Sequence, residues 1–257
     1  MRKFVVAAAV AVGLAGIAGA MAETEIPPLL KQDWSFNGVF GTYDRAAAQR
    51  GFQVYNEVCS NCHSLRLLSY RNLEELGFSE AEVKAISASK QVTNAEPNDQ
   101  GEMFQRPGRP SDSFVSPFPN EKAARASNNG ALPPDLSLII KARVGGPDYV
   151  YSLMHGYGDP PAGVQLGDGM NYNKYFAAGN QQIAMPQPIS DNSVTYADGT
   201  PATLDQEAYD VATFLSWASE PNLEQRHRTG LKVILFLVAM SGVLYGAKRK
   251  IWSDVEH

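Results

Sequence analysis

The chain has 257 residues, 44% hydrophobic and 19% charged, which excludes a wholly disordered polymer and suffices for one sizeable domain with additions. Its formal net charge of −5 is unevenly placed: residues 23–225 hold 14 basic and 25 acidic side chains, a net −11, while the two ends are basic. So acidic a body would repel phosphate backbones, which excludes nucleic acid as a partner, and it suits a basic protein partner.

The first 22 residues read as a secretory signal. Arg2 and Lys3 precede an apolar stretch, residues 4–19, and Ala20-Met21-Ala22 is an A-x-A-like cleavage site before Glu23. The mature chain then faces an oxidising compartment. Residues 23–42, with Pro27, Pro28, Trp34, Phe36 and Phe40, are expected to form an extended arm lying on the domain. A helix is predicted over residues 44–58, capped by Asp44, and a second over 72–87.

Residues 91–130, rich in Pro, Gly, Asn and Ser, read as a long surface excursion. Short helices are expected over 134–143 and 149–155. Residues 156–188 read as loop. Over 204–218 the apolar positions Leu204, Ala208, Val211, Leu215 and Ala218 recur every three or four residues, and Pro221 ends that helix. The fold class is mainly α with long loops.

Residues 230–247 are mostly apolar, with Lys232 their only charge. Eighteen residues at about 1.5 Å each span roughly 27 Å, close to a hydrocarbon core. Lys248, Arg249 and Lys250 follow, with Trp252 at interface depth. The expectation is a single membrane anchor over 226–250 after an exported domain of 23–225, with 251–257 as a cytoplasmic tail. The flanking basic clusters balance, so the signal sets the orientation.

The chemistry sits in Cys59-Ser60-Asn61-Cys62-His63, a C-x-x-C-H attachment signal for a c-type haem. Two thiols three positions apart can each add across one vinyl group, and the adjacent imidazole then lies under the iron. A zinc site lacks ligands, because the chain has two cysteines and four histidines. A structural disulfide would leave His63 unexplained. For the sixth iron position Met185, between Ala184 and Pro186 in a proline-stiffened loop, competes with His155. Met103, Met154 and Met170 stay open on chemistry alone.

With these residues in view, the chain resembles the cytochrome c1 family, the haem subunits of the ubiquinol–cytochrome c reductase (cytochrome bc1) complex. The resemblance covers residues 34–252. It rests on 51–58 (GFQVYNEV), 128–137 (NNGALPPDLS), 141–143 (KAR), Gly145-Gly146, 148–153 (DYVYSL), 198–203 (DGTPAT) and 214–221 (FLSWASEP).

The resemblance implies a cytochrome c-like haem domain with long loop insertions, and one covalently attached haem c. Cys59 and Cys62 would hold it, with His63 and Met185 as axial ligands, Arg143 beside a propionate, Tyr149 bonding the same region and Pro133-Pro134 at its border. It further implies one-electron transfer from a Rieske iron–sulfur protein to a soluble or tethered cytochrome c. The anchor would pack on cytochrome b in a dimeric complex of the bacterial inner membrane, with the haem domain in the periplasm. The chain has Val144 where many mitochondrial members have His, and it lacks the extra cysteine pair that braces the distal loop in some bacterial relatives, so other packing must hold Met185.

Two alternatives use the same motif: a free-standing tethered cytochrome c serving an oxidase, and an enzyme with an open haem site such as a peroxidase.

Overall fold

In the computed structural model residues 26–255 are described; the expected signal and the last two residues lie outside them. The order is helix α1 (Arg45–Glu57), a 3-10 turn through Cys59–Asn61, a 3-10 helix (Tyr70–Leu76), α2 (Glu80–Ala88), strands β1 (Gln91–Thr93) and β2 (Gln105–Pro107), then α3 (Glu121–Ser127), α4 (Ile139–Ala142) and α5 (Pro147–Met154). Strands β3 (Asn171–Tyr172) and β4 (Gln182–Ile183), α6 (Leu204–Ser219) and α7 (Leu223–Ile251) complete it. Each strand pair is a small antiparallel ladder, with Val92 opposite Arg106 and Asn171 opposite Ile183.

The core is built on the α1–α6 crossing. Asp44 caps α1 through Ala47 N–H at 3.1 Å, and Thr203 caps α6 through Gln206 N–H at 3.2 Å. The helices approach where α1 carries Gly51: a Cβ there would stand 1.9 Å from the Asp210 carbonyl oxygen, closer than any atom tolerates. Next to it the Arg50 guanidinium grips the buried Asp210 carboxylate at 2.8 and 3.0 Å and reaches Asp198 at 3.0 Å. Phe52 and Tyr55 then meet Phe214 edge-on and tilted, with ring centroids 5.7 and 5.6 Å apart.

The N-terminal arm lies across α5 and α6. Asp148 accepts from Trp34 Nε1 at 2.8 Å, Gln32 N–H at 3.2 Å and Lys31 Nζ at 2.9 Å, and the Trp34 ring stacks 4.9 Å from Tyr209.

The expected helix over 72–87 is two elements. Gly77, at φ +98°, ends the 3-10 helix in the left-handed region, and Ser79 restarts the chain with a reciprocal capping box to Glu82. The expected helix over 134–143 shrinks to α4, because Asp135 turns its side chain onto neighbouring backbone instead of starting a helix. The excursion over 91–130 contains the β1–β2 ladder and α3.

Helix α7 runs 29 residues, about 43 Å at 1.5 Å each. It is the one described helix long and apolar enough to cross a membrane, and its apolar window is unburied. Its first turn nonetheless belongs to the domain: Leu223 is buried, and Glu224 accepts from Arg45 at 2.9 and 3.0 Å and from Tyr43 N–H at 2.9 Å. The helix therefore starts ahead of the expected 225/226 boundary.

Candidate haem site

Helix α1 ends at Val58, and its last turn tightens into the 3-10 turn that carries the motif. His63 N–H donates back to the Cys59 carbonyl at 2.8 Å, so the thiols and the imidazole share one turn of chain. Both cysteines are free thiols. Cys59 is half-buried, and burial pushes its thiol up to about 12, keeping the S–H neutral. Cys62 is exposed.

His63 Nδ1 lies 2.8 Å from the Pro134 carbonyl oxygen. A carbonyl only accepts, so the Nδ1 proton donates and the lone pair is on Nε2, the atom a metal needs. Burial lowers the imidazole pKa, which favours the neutral ring further.

Asp135 fixes the segment that supplies this carbonyl. Its carboxylate accepts from Ser64 Oγ at 2.7 Å, Arg66 N–H at 3.0 Å and Ser137 N–H at 2.9 Å. Burial alone would raise its pKa; these donors outweigh it and hold the group at about 2. Leu136 N–H to the Ser64 carbonyl at 2.9 Å and Leu67 N–H to Ser137 Oγ at 3.1 Å complete the pairing of 64–67 with 135–137. Of the pair Pro133-Pro134, Pro133 is half-buried, and the contact with His63 comes from the Pro134 backbone.

Met185 follows β4. It is partly buried and packs against the hydrophobic core, as Val58, Cys59, Ile140, Tyr149 and Leu153 also do. The exposed Arg143 guanidinium lies near Tyr149, whose pKa burial raises against the pull of that positive charge. The guanidinium also reaches the Ala142 carbonyl at 3.2 Å.

Among the other candidate ligands, Met170 is half-buried just before β3. His155 Nδ1 bonds the Tyr151 carbonyl at 2.9 Å, and its Nε2 stands 3.6 Å from Asp205 Oδ1. Met154 is buried in the core, and Met103 is exposed beside β2. Val144 is 95% exposed.

The residues present fit a haem: paired free thiols, an imidazole with its Nε2 released, a partly buried thioether, and an exposed guanidinium for a carboxylate.

Comparison with known proteins agrees. The Cytochrome C1 family model matches residues 34–255. The chain belongs to the cytochrome c1 family. It is 45% identical to cytochrome c1 of Rhodospirillum rubrum over 100% of this chain and 98% of that protein. It is 48% identical to a mitochondrial cytochrome c1 heme protein of Arabidopsis thaliana over 86% of this chain and 71% of that one. Cytochrome b/c1 of Bradyrhizobium diazoefficiens is 48% identical over 86% of this chain, which spans 35% of that longer protein. Membership brings a haem cofactor with it and fits an electron-carrying subunit of a quinol–cytochrome c reductase.

Proposed function

We propose that the chain carries one haem c, bound through thioethers to Cys59 and Cys62 and ligated by His63 and Met185, and that it passes single electrons from a Rieske iron–sulfur protein to a cytochrome c. The observation that carries this reading is the His63–Pro134 hydrogen bond, which leaves Nε2 unprotonated in the same turn that holds two free thiols. When bound, the haem supplies reversible one-electron exchange. The chain's own residues would hold and tune it: Pro134 orients the imidazole, and Arg143, with Tyr149 near it, would offer a charge-assisted donor to a propionate. With both His63 and Met185 as ligands the group would serve electron transfer rather than oxygen chemistry. No proton transfer or bond cleavage belongs to this chain.

Helix α7 anchors the domain in a bacterial inner membrane against cytochrome b, within a dimeric complex, and the signal at 1–22 places the haem domain in the periplasm. Rapid mixing tests the role. In membranes holding the whole complex, a quinol should reduce the c-type chromophore only when the Rieske protein is present, and added cytochrome c should reoxidise it. A chromophore that purifies without any b-type cytochrome, or that quinol reduces without the Rieske protein, would contradict the proposal.

A further inference from the structure

A thioether is a neutral, weakly bound ligand on a side chain with three rotatable bonds, so its hold on a metal depends on how firmly its backbone is placed. This chain has no second cysteine pair to fix that backbone.

Two side chains converge on the Met185 carbonyl oxygen: Tyr157 Oη donates at 3.2 Å and Asn171 Nδ2 at 3.4 Å. Both are tied to the rigid part of the domain. Tyr157 follows α5 and forms a bridge with Asn173, whose fully buried amide donates to the Leu153 carbonyl at 2.7 Å. Gly156 makes the approach possible, since a Cβ there would sit 2.0 Å from Asn173 Oδ1. Asn171 lies in β3, paired with Ile183 of β4 two residues before Met185. Beyond Met185, Pro186 has no N–H and a fixed φ, so the peptide joining them is held from both sides.

We propose that Tyr157 and Asn171 are positioning residues that clamp the Met185 carbonyl and so keep its thioether on the haem iron, where some relatives use a covalent brace. The inference rests on the reading of Met185 as the distal ligand. Losing one donor leaves a carbonyl partly unsatisfied and lets the loop lift, which opens the sixth position to an outside ligand.

The test uses the whole complex and compares wild type, Met185→Leu, Tyr157→Phe, Asn171→Ala and Tyr172→Phe. Tyr172 is the control: its hydroxyl bonds Gln181 in the same hairpin and not Met185. Carbon monoxide binding to the reduced haem and the midpoint potential are both read. Tyr157→Phe and Asn171→Ala are each expected to raise carbon monoxide affinity about tenfold and to lower the potential, towards Met185→Leu, with Tyr172→Phe like wild type. Free binding by Met185→Leu alone would refute the clamp and leave the ligand reading standing. Equal opening in Tyr157→Phe and Tyr172→Phe would also refute it, assigning the effect to hairpin stability. No difference between Met185→Leu and wild type would remove the ligand reading and the clamp with it. If Asn171→Ala does not assemble, Asn171→Ser replaces it with the same expected shift.

Discussion

His63 Nδ1 donates to the Pro134 carbonyl across 71 residues of sequence, at 2.8 Å. That bond joins the end of α1 to the segment before α4, and Asp135 secures it by gathering Ser64 Oγ, Arg66 N–H and Ser137 N–H onto one carboxylate. The orientation of the imidazole thus depends on an acid that does not itself touch it.

Asp135 makes this joint pH-dependent. Its folded pKa of about 2 lies below the ordinary 3.8, so its contribution is fully present above about pH 4 and is lost as pH falls through about 2. Asp135→Asn is expected to cost about 1–2 kcal/mol near neutral pH, with the gap from wild type closing on acidification. Urea unfolding of the two proteins across that range checks it; a gap independent of pH would contradict the assignment.

Gly51→Ala tests the helix crossing. The added methyl would overlap the Asp210 carbonyl, and the buried Arg50–Asp210 pair beside it leaves no room for a slide. Stability should fall by about 1–3 kcal/mol, visible in thermal unfolding, with the c-type spectrum weakened because α1 leads directly into the haem motif. A variant as stable as wild type would show that the crossing can relax.

The acidic body predicts the salt dependence of electron delivery. With a net −11 over residues 23–225, attraction to a basic cytochrome c should raise the association rate, and salt should reduce it as the Debye length shrinks to about 8–10 Å near physiological strength. Stopped-flow oxidation rates at rising ionic strength measure this. A flat profile would count against electrostatic docking.

Much of this was legible in sequence because the signals are local. The C-x-x-C-H spacing, the Asp44 cap and the α6 periodicity each lie within a few neighbouring residues, and the cap and the helix have their expected places. The Gly77 stop and the Ser79-x-x-Glu82 box are equally local, and they divide the 72–87 segment in two.

What stayed hidden is nonlocal or uses backbone. The partner of His63 is a main-chain carbonyl, which no side-chain pattern marks, and sequence pointed no more to Pro134 than to Pro133. Tyr157 and Asn171 reach Met185 over 28 and 14 residues through a hairpin with two-residue strands, too short for any alternation to show.

The central claim is a covalent haem ligated by His63 and Met185. The optical spectrum of the reduced complex, wild type beside Met185→Leu, each before and after carbon monoxide, tests it most directly. The account predicts a c-type spectrum that carbon monoxide leaves unchanged in wild type and alters in the variant. Carbon monoxide binding in wild type, or a variant indistinguishable from it, would contradict the account and put the sixth ligand elsewhere.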